Sequence, residues 1–506
     1  MKIAICLSLA ILVCVFPLFA QTIWPEDLEY LGAFRLPEGP EEIGWEWCGE
    51  ALAYWPEGNL DGASDGFPGS LFGVGHNWNT WVSEISIPVP VISPSRNVDE
   101  LNTAQTLQPF ADIRAGLFGY LEIPRAGIEV MPAMGEQSSP KLYFCWAQHM
   151  GEGDTGATHG WCELELPNPQ TAGLWQIGGL WNYITTDYLF AAPQSWADAY
   201  TDGKSLMTGR FRDGGQGSMG PTLIAIAPWQ SGNPPPENTV LETQTLLQYC
   251  SVYENCVNIM NAYHHSDEWS GGAWIGLGDK TAVVFAGTKG LGECWYGLVD
   301  GTVWEEPYPN NLPDSLLETR GWWSEAFVGE MLFYNPHDFE AVAKGEMHPW
   351  EPQPYAVLQL DDVLFHITGD RQKWHVGAVT ADRQHGLIYL MEPLADGDKS
   401  LIHVWRIDPQ LTHVRGAHQE LNFHLSRNYP NPFNPVTRLT YSIENACDVQ
   451  ICVYSLKGEL VFESGRFFQQ GSYSLEIDAS SWSSGVYWVK MIAGNCQAVR
   501  KITVLK

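Results

Sequence analysis

The sequence predicts an all-β chain, with a β-propeller over residues 21–420 followed by a small immunoglobulin-like β-sandwich over residues 421–506. Three features predict this. Apolar runs of strand length alternate with Gly, Pro, Asn and Asp turns through most of the chain. A meander of three such runs recurs at loose intervals, the mark of an architecture in which each unit covers the open face of the next. Beyond residue 425 the pattern changes to closely spaced alternating strands with Gly turns, and the charge changes sign.

In chain order, Lys2, the apolar run 3–20 and Gln21 have the charge, length and small terminal residue of a secretory signal peptide cleaved near Ala20. No later stretch is apolar for the roughly 18 residues a membrane span needs. The run LEYLGAFRL (28–36) reads as a lone strand ahead of the first meander, placed to complete the last blade of a closed ring. Residues 51–88 are the reference unit: ALAYW, LFGVG and WVSEISIP, too narrow to bury both faces alone. The pattern returns at 127–167 (GIEVMP, KLYFCWAQ, GWCELELP), 196–229 (WADAYTDG, KSLMTG, PTLIAIAPW) and 271–299 (GGAWIGLGD, KTAVVFAG, YGLV). It recurs at 330–361, where a helical insertion follows EMLFYNP, and at 377–408. Six units favour a six-bladed ring. Five blades is the alternative, since the segments between units can absorb one.

If the first strand of each unit is innermost, the loops between second and third strands share one rim with the entrances to the first strands. These are the polar loops, and functional groups concentrate on loops held by a rigid scaffold. They and the segments beside them offer His76, Trp78, His149, His159, Arg210, Arg212, His264, Lys289 and Trp323 as a ligand-binding rim. The histidines suit a metal if they converge. Arg210 and Arg212 lie in the glycine-rich run GRFRDGGQGSMGP, which suits a carboxylate or sulfate but lacks the Lys and Ser/Thr ending of a phosphate-binding P-loop. Tryptophans near the rim suit the C–H faces of sugar rings, although blades also use Trp as packing. Glu50, Asp154, Glu268 and Glu325 are the carboxylates that pairwise glycoside cleavage would draw on. A GxSxG pattern at Gly62, Ser64 and Gly66 sits in a turn between β runs and is not a nucleophile elbow.

The net charge of −32 is unevenly placed. Eight basic residues face six acidic ones from Leu421 onward and Lys2 adds one more positive charge, so residues 21–420 carry −35. Such a surface repels nucleic-acid phosphates and anionic membranes, which argues against both as partners. It attracts cations, so calcium or another divalent metal fits the acidic loops, while no motif demands a cofactor. Eleven cysteines less Cys6 and Cys14 leave nine in an exported, oxidising setting. Cys145 with Cys162, across a hairpin, and Cys250 with Cys256, around a small loop, are the disulfide candidates; no CxxC or zinc spacing occurs.

The tail opens with LSRNYPNPFNP (425–435) and continues through VYSLKGELV and SGVYWVK to a final Lys506. These runs resemble the type A sorting domain of the type IX secretion system. The resemblance implies export through the periplasm and across the outer membrane to the cell surface or medium, with the secretion machinery as partner. The ring resembles uncharacterised secreted bacterial propeller proteins through GHNWNTWVSEISIP and GTKGLGECWYG, and no activity comes with that likeness. The functional expectation is therefore an exported propeller binding a glycan or other extracellular ligand on one rim. A polysaccharide-cleaving hydrolase or lyase and a non-catalytic surface adhesion or scaffold protein are the alternatives.

Overall fold

The computed structural model describes residues 21–408 and 423–506, apart from 60, 61, 63, 122, 150–152, 213, 367–372, 444–446, 456–459, 469, 470, 494 and 495. The signal-peptide segment, 1–20, lies outside the described residues. The chain divides into two compact units, Met1–Gln410 and Leu411–Lys506, and both are built from β-sheet. No described helix is long and apolar enough to cross a membrane.

The first unit holds five sheets. The first runs Leu52–Trp55, Ser70–Val74, Val82–Ser86 and Thr106–Ala111, each antiparallel to the next. The second runs Arg125–Met131, Lys141–Ala147, His159–Cys162 and Ala172–Ile177, with Val240–Leu241 added in parallel at its outer edge. The third runs Tyr188–Ala191, Leu206–Gly209, Leu223–Ile226 and Thr243–Leu247. The fourth runs Glu268–Leu277, Lys280–Gly297, Gly321–Tyr334 and Ala356–Gln359. The fifth runs Val379–Asp382, Leu387–Asp396 and Lys399–Ile407, and its fourth strand is Leu28–Arg35, the lone N-terminal run, antiparallel to Lys399–Ile407.

The five first strands lie side by side in order, and the last, Val379–Asp382, returns to the first, Leu52–Trp55. Their approach depends on small residues. A Cβ on Gly377 would sit 2.0 Å from the Gly49 carbonyl oxygen, and one on Gly271 would sit 2.5 Å from that of Gly377. Side chains fill the spaces between successive sheets. On Lys141–Ala147, Leu142, Phe144 and Trp146 pack toward the first sheet, whereas Tyr143 and Cys145 pack toward the third. Each of these large side chains contributes roughly 2 kcal/mol through burial. Similar cores join the third sheet to the fourth through Trp196, Trp274 and Phe285, the fourth to the fifth through Phe333 and Ile388, and the fifth to the first through Tyr389 and Leu71.

Four sequence expectations change here. The units at 271–299 and 330–361 are halves of one sheet, so six meanders become five sheets. TKGLGECW is not a loop but part of the 18-residue strand Lys280–Gly297, which pairs along its length with Gly321–Tyr334 and carries a bulge between Leu291 and Cys294. Gly292, at φ 76°, sits in that bulge, and its glycine-rich surroundings read locally as a turn. WADAYTDG is not a strand: Gln194–Tyr200 is helical, with Pro193 at its N-cap, and the innermost strand of that sheet is Tyr188–Ala191. Cys145 and Cys162 do not bond. Cys145 stands opposite His159 and Cys162 opposite Leu142, so the two thiols face opposite sides of the sheet and both are free. Cys250 and Cys256 are disulfide-bonded.

The second unit is a sandwich. One sheet comprises Phe423–Tyr429, Val436–Ile443 and Gly471–Asp478; the other comprises Leu460–Phe468, Cys447–Ser455, Gly485–Ala493 and Cys496–Val504. Leu439, Ile451, Val453, Ile477, Val489, Met491 and Ile502 form its core. Asn428 of the NYPNPFNP run is buried, and its amide donates to the Pro430 carbonyl and the Thr437 hydroxyl at 3.0 and 2.9 Å. This pins the chain entering the sandwich.

Candidate functional site

In an antiparallel pair the start of the first strand and the end of the second lie at the same end of the sheet. That geometry gathers charged residues from four sheets. Glu50 precedes Leu52–Trp55, Arg125 and Glu268 open their strands, Asp187 precedes Tyr188–Ala191, His149 follows Lys141–Ala147, and Arg210 and Arg212 follow Leu206–Gly209. Arg125 bridges two carboxylates, with Nη1 3.0 Å from Glu50 Oε1 and Nη2 3.0 Å from Glu268 Oε1. Arg212 Nη2 lies 3.2 Å from the same Glu268 oxygen. Arg210 donates through Nη2 to the His149 carbonyl at 2.6 Å, faces Asp187 at 3.6 Å, and stacks over the Tyr183 ring at 4.0 Å. Glu50 and Asp187 also line a cavity of about 10 Å³ among the first strands.

Burial sets the electrostatics of this cluster. It pushes the Glu50 carboxyl up to about 7, even beside Arg125, and raises that of Asp187. Glu268 feels the same burial, but Arg212 and Arg125, with smaller contributions from Lys373 and His149, outweigh it and hold the carboxyl at about 2. Burial lowers Arg210 to about 10, leaving it charged at neutral pH. Burial and the three arginines push His149 down to about 2, so its imidazole is neutral.

Beside this cluster lies a second polar group. Lys289 Nζ contacts the buried Asp267 carboxylate at 2.8 and 3.1 Å, and Asp267 also accepts the Gly290 and His264 backbone N–H groups. His264 Nε2–H donates to the Gly292 carbonyl at 2.9 Å, which leaves Nδ1 to accept from Ser324 and Ser266. Burial, then Lys289, lowers the His264 pKa. Aromatic side chains stand near it. Trp322 stacks on His265 with centroids 4.7 Å apart, Tyr263 meets His265 edge-on, and the Gly214 N–H donates to the His265 carbonyl, joining them to the loop after Arg212. On the other side Lys373 Nζ sits 4.6 Å over the Trp323 ring, and Trp374 follows it in the chain. Trp374 and Trp47 occupy equivalent places, each five residues ahead of a first strand on neighbouring sheets. Both have left-handed backbone, φ 59° and 55°, and are 56% and 48% exposed.

Of the residues the sequence offers, His149, Arg210 and Arg212 thus join the charged cluster, Lys289 and Trp323 lie on the sheet whose first strand begins with Glu268, and His264 lies in the turn just ahead of that strand. His159 is not on the rim. It is buried within the second sheet, with ring nitrogens 2.9 and 3.0 Å from the Thr158 and Thr208 hydroxyls, and burial pushes it down to about 3. His76 stays on the loop after Ser70–Val74, where Nδ1 accepts the Trp78 N–H, and Trp78 is 77% exposed. Among the four candidate carboxylates Glu50 and Glu268 meet on Arg125, whereas Asp154 Oδ1 accepts the Gly156 N–H. Among the described residues no group of three or more His, Cys, Asp or Glu could hold a metal ion. Arg125, Asp187, Trp47 and Trp374 escape a reading centred on loops. A signal for the first two exists, since Glu50, Arg125, Asp187 and Glu268 all stand at the mouth of an apolar first strand.

Residues 427–505 match the family described as the secretion system C-terminal sorting domain. The tail is a sorting domain. Its presence bears out the resemblance carried by NYPNPFNP and implies secretion by the type IX route, to the cell surface or beyond. The sorting domain covers only the end of the chain, and no curated protein matches. Among solved structures, the crystal structure of dimeric latent PorU from Porphyromonas gingivalis is similar at a TM-score of 0.19 and 8% identity over 81% of this chain. The chain spans 36% of the length of that structure, and a likeness this slight carries no argument.

Proposed function

We propose that residues 21–410 form a five-bladed β-propeller, exported by the type IX route, that binds a glycan at the end where the first strands begin. The cyclic order of the first strands, the packed cores between successive sheets and the N-terminal strand completing the fifth sheet support the propeller. The observation that carries the binding reading is the pair Trp47 and Trp374, both exposed and each five residues ahead of a first strand on neighbouring sheets. Exposed tryptophans held in left-handed backbone are costly to fold, and such strain clusters at ligand clamps. Flat aromatic faces suit sugar C–H surfaces, and each stacking contact is worth about 1 kcal/mol. The mature full-length protein should bind immobilised oligosaccharides, and Trp47→Ala and Trp374→Ala should each weaken binding about fivefold. Binding unaffected by both substitutions would remove this reading.

Glycan cleavage is the second reading, favoured by one pair of groups. Glu50 and Glu268 share Arg125 while their environments drive their acidities apart, the pattern by which one carboxyl is kept as an acid and the other as a base. Release of reducing ends from a bound polysaccharide, abolished by Glu268→Gln, would favour it. Binding without turnover would favour the lectin-like role.

A further inference from the structure

We infer that the charged cluster around Arg125, Arg210 and Arg212 is a binding site for a small monovalent anion, a halide or the carboxylate head of an organic acid. The donors come first. Arg210 and Arg212 are 2% and 6% exposed, yet Nη1 of Arg210 and both Nε and Nη1 of Arg212 have no hydrogen-bond partner among the described residues. The nearby His149 Nδ1 is likewise buried without a partner. Buried polar groups in folded proteins are nearly always satisfied, and charged guanidinium N–H groups are the ones least tolerably left bare. Several such donors on one small cluster point to a guest that accepts hydrogen bonds.

The charge balance says which kind of guest. Arg125, Arg210 and Arg212 bring three positive charges. Glu268 opposes them as a carboxylate, whereas burial favours the neutral form of Glu50 and Asp187. His149 is neutral, and Lys373 adds positive potential at Glu268. Among the described residues the cluster is thus short of negative charge, and its bare donors outnumber the bare acceptor Glu50 Oε2; a water molecule supplies acceptors but no charge. Anions bound in the protein interior by guanidinium groups gain from short charge-assisted hydrogen bonds. This site is independent of Trp47 and Trp374 and stands whether or not a glycan binds there.

Two measurements on the mature full-length protein test it. In crystals soaked in sodium bromide, an anomalous peak is expected within hydrogen-bond distance of Arg212 and Arg210. In solution, with ionic strength held by sodium HEPES, the melting temperature should rise by about 2 °C for each tenfold increase of chloride or acetate above its dissociation constant. The rise should be steeper at pH 5.5 than at pH 8, where Glu50 ionises and competes, and absent in Arg212→Gln. Galacturonate, with galactose as the neutral control, distinguishes the sources. Stabilisation by galacturonate that chloride competes away assigns the site to a sugar-acid carboxylate, and stabilisation by chloride alone assigns it to a free ion. Bromide-soaked crystals with no anomalous signal at the arginines, together with a melting temperature insensitive to all three anions, would overturn the inference in favour of neutral water. The crystallographic arm uses the unaltered chain, so a folding defect in Arg212→Gln leaves the test intact.

Discussion

Replacing Gly377 by alanine probes the convergence of the first strands directly. The added Cβ would lie 2.0 Å from the Gly49 carbonyl oxygen and 3.0 Å from its carbon, both backbone atoms that cannot rotate away. Contact without overlap requires the neighbouring strands to part by at least about 1 Å, in the range where overpacking costs about 1–3 kcal/mol. The same displacement stretches the hydrogen bond from the Ala378 N–H to the Gly49 oxygen, now 2.8 Å, a further loss of about 1 kcal/mol. A total near 3 kcal/mol corresponds to about 4 °C for a unit of this size, given an unfolding entropy of about 2 cal/mol/K per residue. Differential scanning calorimetry of the mature protein reads it. Gly119→Ala is the control, because a Cβ there meets nothing within 4 Å, and it should shift stability by less than about 0.5 kcal/mol. If Gly377→Ala melts with the wild type, the first and fifth sheets do not meet across Gly49, and the closed order of first strands is wrong.

Glu50 makes stability depend on pH. Its carboxyl sits at about 7 in the folded chain against an ordinary 4.5, so its contribution is full below about 4.5 and is lost as pH rises through 7, about 3 kcal/mol in all. Urea denaturation across pH 5 to 8 should show this fall, and Glu50→Gln should flatten it; an identical slope in the variant would assign the dependence elsewhere. Removing the Cys250–Cys256 disulfide with paired serines should cost about 2 kcal/mol for so short a loop. Reductant should bring the wild type down to the same melting temperature. The loss should also loosen the arginine loop, since the Val252 N–H donates to the Gly215 carbonyl and the Ser251 hydroxyl to that of Gln216. Deleting residues 427–505 should leave the protein in the periplasm of a type IX-competent host, with cell fractionation as the readout; unchanged appearance in the medium would show that the tail is dispensable for export.

The parts legible from sequence share one property: their determinants are local. Period-two alternation and turn residues located most strands, the NYPNPFNP run marked the sorting domain, and six residues of separation sufficed to pair Cys250 with Cys256. The parts that were not legible depend on strand register and on burial. Cys145 and Cys162 look paired along the chain, and a three-residue offset in register turns them to opposite faces. GTKGLGECW looks like a loop until Gly321–Tyr334 is laid against it and its backbone groups find partners.

The candidate site divides in the same way. Sequence alone identified Arg210, Arg212 and His149 as chemistry-bearing and offered Glu50 and Glu268 among four candidate carboxylates, because residue type and chain position are properties of the chain itself. Tertiary structure decided that His159 serves packing, that Arg125 joins the two glutamates, and that the arginines are enclosed with donors to spare. The physical reason is that hydration and charge neighbours, which set what an ionisable group can do, are supplied by strands a hundred or more residues away. Only the folded chain brings those neighbours within reach.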